Sequence, residues 1–201
     1  MLRAPVGVAG PPRGSHRPAA GSALLDAAVR SARSGSEQAF TALFHEFQPR
    51  LLRYLRTRCG DAAQDVAAET WVAVVTDIHR FRGDSGEFAR WLFTIARYRA
   101  IDHARAAARR PTALPEGYEA AARDDVQQAV VESAQAEHIL RLLRRLPADQ
   151  AEAVALRVLA GLDVHTVAGL LGKSDNAVRI CTHRGLRRLE ATLFPEKAVS
   201  A

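Results

Sequence analysis

From Ala23 onward the apolar positions of this chain recur at three-and-four spacing. LLDAAVRSAR comes first. After a Gly35-Ser36 break, EQAFTALFHEFQPRLLRYLRTRC places Phe40, Leu43, Phe44, Phe47, Leu51, Tyr54 and Leu55 on one stripe, the signature of a helix with a single buried face. Pro49 is a candidate kink. Asp61 is a candidate N-cap for AAQDVAAETWVAVVTDIHRF. The turn FRGDSGE then separates that helix from RWLFTIARYRAIDHARAAARR, which Pro111 stops.

Periodicity is missing from residues 1–20, which are rich in Pro, Gly and Ala and have the composition of a mobile tail. It lapses again over residues 111–133, where five acids (Glu116, Glu119, Asp124, Asp125, Glu132) face one base, Arg123, as in an acidic linker. It returns in four pieces, AQAEHILRLLRRL, ADQAEAVALRVLA, VHTVAGLLG and SDNAVRICTHRGLRRLEATLF, each bounded by Pro, Gly or an Asp or Ser cap. No run alternates with period two. The pattern predicts an all-α protein of two helical domains, residues 21–110 and 134–195, joined by the acidic linker.

Charge narrows the partner. The 201 residues carry a formal net charge of +6 and a pI near 10.1, which favours a polyanion. Lys173 and Lys197 are the only lysines beside 26 arginines, a preference for which a GC-rich coding bias is the competing reading, so position along the chain is the better guide. No apolar run approaches the roughly 18 residues of a membrane span, and the first residues lack the apolar centre of a signal peptide. Cys59 and Cys181 stand alone, which gives no disulfide frame or zinc site and fits a reducing compartment. A cytoplasmic protein without membrane contact or cofactor is expected.

GLDVHTVAGLLGKSDNAVRICTHRGLRRL has the layout of a helix-turn-helix. Asp163 caps a short helix whose Val164, Val167, Ala168 and Leu171 face inward, Gly172 makes the turn, and Ser174 caps a second helix anchored by Val178, Leu186 and Leu189. The opposite face carries Asn176, Arg179, His183, Arg184 and Arg187, fit for a major groove. A helical hairpin with a solvated basic face is the alternative. GLLGKS imitates the end of a phosphate-binding loop, but the required earlier glycine is Val167 and no strand precedes it.

Arg90–Arg110 holds three aromatics, six arginines and one acid. Such a helix suits a core with a solvated face, a membrane surface, or a grip on unpaired bases. At 100° per residue Tyr98, Trp91, Ile95 and Leu92 share an arc of about 120°, the natural core stripe, and Arg97 projects to the far side. Beyond Ile101 the apolar anchors thin out to a basic extension of Arg105, Arg109 and Arg110, which disfavours a membrane helix. On the preceding helix Asp65 and Glu69 share a face beside Trp71. They form either a solvated acidic patch or a docking surface; a metal-dependent hydrolase would need further ligands, and the seven histidines are scattered singly.

LRRLPADQAEAVALRVLAGLDVHTVAGLLGKSDNAVRICTHRGLRRL resembles the region that recognises the minus-35 promoter element in bacterial extracytoplasmic-function sigma factors. AAQDVAAETWVAVVTDIHRFRGDSGEFARWLFTIARYRAIDHARAAARR is similar to their second region, which binds the polymerase clamp and melts the minus-10 element. Both halves match in order, from about Gly35 to Phe194. The resemblance implies a non-enzymatic promoter-specificity subunit whose partners are core RNA polymerase (clamp and flap), promoter DNA and an anti-sigma protein. It implies minus-35 contacts from Ser174, Asn176, Arg179, His183, Arg184 and Arg187. Minus-10 contacts fall to Arg97, Tyr98, Arg99 and Arg105, with base capture by the loop Phe81 to Phe88, and polymerase contacts to Asp65, Glu69 and Trp71. Tyr98 stands where the family usually has a small polar residue, Ala68 where it often has Gln, and Cys181 where it often has Arg. A stand-alone helix-turn-helix repressor is the alternative drawn from the C-terminal half.

Overall fold

The computed structural model describes residues 20–109 and 137–194. Residues 1–19 of the expected tail and the whole expected linker, 111–133, lie outside the described residues. No strand occurs among the described ones, in keeping with the all-α expectation. Among the described residues four helices precede the expected linker, α1 (Ala20–Arg33), α2 (Glu37–Cys59), α3 (Ala63–Asp77) and α4 (Ser85–Arg109). Four more of the described helices follow it: α5 over residues 137–143, α6 (Ala148–Val154), α7 (Val164–Leu171) and α8 (Asp175–Leu193).

α2 begins where Ser36 Oγ accepts from Ala39 N–H at 3.3 Å and ends where Gly60 takes φ 57, a conformation that favours glycine. Leu43, Phe47, Leu51, Tyr54 and Leu55 are its buried face, the stripe read from the sequence. Pro49 sits on its exposed side and does not interrupt it. Asp61 does not cap α3: it belongs to a single 3-10 turn, Gly60–Ala62, and the residue before α3 is Ala62, which offers no side-chain cap. Gly60 turns the chain so tightly that the entry to α3 is closed by backbone alone.

α4 starts from a reciprocal capping box. Glu87 N–H donates to Asp84 Oδ1 at 2.9 Å while Glu87 Oε2 accepts from Asp84 N–H at 3.0 Å, and Asp26 of α1 accepts from Ser85 N–H at 2.8 Å. The helix packs against α1, α2, α3 and α7, and its buried residues are Ser85, Phe88, Ala89, Leu92, Phe93, Ala96 and Ala100. The core stripe is therefore rotated away from the expected one: Phe93 is fully buried, with its ring 5.7 Å from that of Tyr54, whereas Tyr98 is 55% exposed. A helix contacted on several sides takes its buried arc from its neighbours, and its own periodicity loses authority.

Between α6 and α7 the chain makes one turn of π-helix, Ala155–Leu159. This turn and α7 pack against α2 and α4, so the two groups of helices meet in one apolar core. Arg50 donates from Nε to the Ala160 carbonyl at 2.7 Å and from Nη2 to that of Gly161 at 2.9 Å, and Arg53 donates to that of Leu159 at 2.9 Å. These are carbonyls a helix C-terminus leaves without intrahelical partners, and they are met by cations suited to the negative end of the dipole.

Candidate nucleic-acid interface

α7 and α8 form the helix-turn-helix. Asp163 Oδ1 accepts from Thr166 N–H at 2.8 Å, and Oδ2 accepts from the Thr166 hydroxyl at 2.7 Å. Burial pushes the Asp163 carboxyl up, but these hydrogen bonds outweigh it and hold the group below its ordinary value. Gly172, in the left-handed region at φ 64 and ψ 34, makes the turn. Ser174 Oγ then accepts from Ala177 N–H at 3.2 Å to start α8. The Ser174 hydroxyl thus serves the helix end itself.

Val178 is fully buried and Leu189 packs on the core, as the spacing implied, but Leu186 is 43% exposed. The inward position one residue earlier is Gly185, where an added Cβ would stand 2.7 Å from Val154 Cγ2. Only a residue without a side chain lets α8 lie this close to α6, and that approach rolls Leu186 outward. Asn176, Arg179, His183, Arg184 and Arg187 are all exposed. Among the described residues no carboxylate pairs with Arg179, His183, Arg184 or Arg187. The arginines of the outer face therefore carry charge that no neighbouring carboxylate among the described residues offsets.

On α4, Tyr98, Arg99 and Arg105 are exposed. Arg99 Nη1 reaches Glu69 Oε2 at 3.1 Å, and Arg105 pairs with Asp102 at 3.6 Å within the helix. Arg105 also shares a shallow groove with Thr57, Arg58, Ala100, Ile101 and Ala104. Arg97 is only partly exposed: it is turned toward α6, where Nε lies 3.3 Å from Glu152 Oε1. The Phe81–Phe88 loop is closed by aromatic packing, with Phe81 stacked on the half-buried Trp91 at 5.1 Å and edge-on to Phe88 at 5.8 Å.

α3 exposes Asp65, Ala68, Glu69, Val72, Val75 and Thr76 on one side. Trp71 faces the other way. It is 6% exposed, its indole N–H donates to Gln48 Oε1 at 2.7 Å, and Phe40 and Phe44 pack on its ring. Trp71 holds α3 in place from beneath and leaves the surface to its neighbours. The apolar members of that surface, Val72 at 67% and Val75 at 56% exposure, were missed from the sequence although their spacing from Glu69 was visible. Among the described residues no three His, Cys, Asp or Glu side chains converge as metal ligands, and no helix is long and apolar enough to cross a membrane.

A helix-turn-helix with an unpaired basic face, set beside a second bundle with an arginine-rich aromatic helix, defines a nucleic-acid-binding protein of two modules. Comparison with known proteins makes the class specific. Sigma-70 region 2 matches residues 43–110, and sigma-70 region 4 matches residues 136–189. The chain is 34% identical over 176 residues to the ECF RNA polymerase sigma factor SigD of Mycobacterium tuberculosis, covering 83% of this chain and 82% of that one. It is 35% identical over 180 residues to the ECF RNA polymerase sigma factor ShbA of Streptomyces griseus, covering 84% and 94%. Among solved structures, CnrH bound to the cytosolic domain of CnrY has a TM-score of 0.62 at 23% identity, over 85% of this chain and 97% of that one. The sigma factor RpoE of Bartonella quintana, bound to the anti-sigma factor NepR, has 0.54 at 20%, over 77% and 96%.

The chain belongs to the extracytoplasmic-function sigma factors of the sigma-70 family. It is accordingly an alternative sigma factor, which binds core RNA polymerase and directs promoter recognition and transcription initiation, and a stand-alone repressor is not favoured.

Proposed function

We propose that this sigma factor divides promoter recognition between α8 and α4 and docks on the polymerase clamp through α3. Asn176, Arg179, His183, Arg184 and Arg187, at the N-terminal end and along the outer face of a helix begun by Ser174, enter the minus-35 major groove. Arginine there reads guanine edges and holds phosphates. Tyr98, Arg99 and Arg105, with Arg97 once it is released from Glu152, hold the separated minus-10 strand, where stacking on an aromatic is worth about 1–3 kcal/mol per base. Asp65, Glu69, Val72 and Val75 make the polymerase contact, and the linker of residues 111–133 joins the domains of residues 21–110 and 134–195.

The protein acts in the cytoplasm and not as an enzyme: it positions DNA for a reaction that polymerase carries out. An anti-sigma protein is its proposed regulator, since the similarly folded RpoE of Bartonella quintana was solved bound to the anti-sigma factor NepR. The observation that carries this reading is the outer face of α8, where Arg179, Arg184 and Arg187 have no carboxylate partner among the described residues. Run-off transcription with purified core polymerase tests it. Initiation at a cognate promoter is expected, and failure to bind core enzyme would eliminate it.

A further inference from the structure

Glu152 is a carboxylate where the core is apolar. It lies on α6 among Ala153, Val154, Ala155 and Leu156 and is 7% exposed. Its partners all come from the other group of helices. The Tyr54 hydroxyl donates to Oε1 at 2.8 Å, Arg58 Nη1 lies 2.7 Å from Oε2, and Arg97 Nε lies 3.3 Å from Oε1. Burial first, and then the charge of Glu152, hold the Tyr54 hydroxyl well above its ordinary pKa, so it is protonated and donates at every physiological pH.

A buried carboxylate is tolerated only when paired and hydrogen-bonded. Every partner of this one is lost if the second helical group moves away from the first. A second contact reinforces the arrangement: Gly169 of α7 lies against the side chain of Arg90, where an added Cβ would stand 3.1 Å from Cδ. Two of the cations involved lie beside the face proposed to hold the separated strand. Arg58 lines the same groove as Arg105, and Arg97 neighbours Tyr98. A carboxylate between guanidiniums is the arrangement a phosphodiester would offer them.

We propose that Glu152 is an intramolecular latch: seated between Arg58 and Arg97 and capped by Tyr54, it holds the two helical groups of the free protein together and occupies cations that a backbone phosphate of the separated strand takes when the groups part. The strand-holding half of this inference rests on the proposed role of α4; the latch itself does not. In the closed form Arg97 is withheld from DNA, and opening exposes it together with Arg58.

Small-angle scattering and circular dichroism of the full chain, without polymerase or DNA, decide the latch. Glu152→Gln should keep its helix content and gain several ångströms in radius of gyration. Wild type should expand from low to high salt as the partly exposed arginines are screened, and Glu152→Gln should respond little. Should Glu152→Gln lose helix content, the double variant Arg58→Gln with Arg97→Gln, which leaves the second helical group intact, takes its place with the same expectation. A folded variant as compact as wild type at every salt concentration overturns the latch. Fluorescence anisotropy with a minus-10 single-stranded oligonucleotide then tests the competition: Glu152→Gln should bind several-fold more tightly than wild type, and equal affinity overturns it. Binding to core polymerase, measured separately, decides the sigma reading, so the two failures are distinguishable.

Discussion

Arg99 and Glu69 join α4 to α3 through an ion pair of 3.1 Å whose side chains are 44% and 59% exposed. One partner belongs to the proposed strand-holding face and the other to the proposed clamp-docking face. The two functions therefore meet at a single surface contact. Its exposure limits what it adds to the fold, since such pairs contribute roughly 0–1 kcal/mol.

Arg99→Ala should accordingly leave thermal stability within about 1 kcal/mol of wild type while reducing promoter opening. Permanganate reactivity of unpaired thymines in the reconstituted initiation complex reads the second effect directly. A large fall in melting temperature would make Arg99 a structural residue, and unchanged opening would remove it from the DNA contacts.

Arg179 is exposed near the start of α8. Arg179→Ala is expected to weaken minus-35 recognition by about 1–3 kcal/mol if the guanidinium reads a base edge. Transcription from a panel of single-base minus-35 variants separates base from backbone. Relaxed preference at one position marks a base contact, and uniform loss across the panel marks a phosphate.

Val72 and Trp71 are adjacent in sequence and opposite in role. Val72→Arg should cost at most about 0.5 kcal/mol of stability yet weaken binding to core polymerase roughly tenfold, about 1.4 kcal/mol. Trp71→Ala should lower stability by about 3–5 kcal/mol, because it empties a packed site and strands Gln48. Chemical denaturation and a core-binding titration on both variants check the contrast; the reverse assignment of effects would place the docking surface elsewhere.

Asp163 couples the helix-turn-helix to pH. Its carboxyl is held below the ordinary value, so its contribution is present above about pH 3.9 and is lost as the pH falls through its own lower pKa. Asp163→Ala should destabilise by about 0.5–2 kcal/mol near neutrality. The gap from wild type should close as the solution is acidified below the ordinary carboxylate range. A gap that persists in acid would mean that the charge is not what matters at this cap.

Gly185 is a tighter constraint than its place in an exposed basic helix implies. Gly185→Ala drives a methyl to 2.7 Å from Val154 Cγ2, and overpacking of this kind costs about 1–3 kcal/mol. Melting curves should show that loss, and wild-type stability would mean that α6 and α8 can separate slightly without cost.

Much of this protein was legible along the chain because the signals were local. The caps at Asp163 and Ser174, the left-handed turn at Gly172 and the polar outer face of α8 each depend on residues within a few positions of one another. The stripe of α2 also came through, because that helix lays one broad face on the core. Other features were settled by residues far apart. Asp61 lost its capping role to the tight turn at Gly60, and Trp71 went inward because Phe40, Phe44 and Gln48 of α2 receive it. Phe93 replaced Tyr98 in the core because α4 is packed from several sides. Arg97, expected on the far side of α4 from its core stripe, is held by Glu152, 55 positions away. Periodicity reports which faces of one helix are apolar. Which face a crowded helix buries, and which arginines gather around a buried glutamate, depends on how separate helices stack, and only the assembled tertiary structure carries that information.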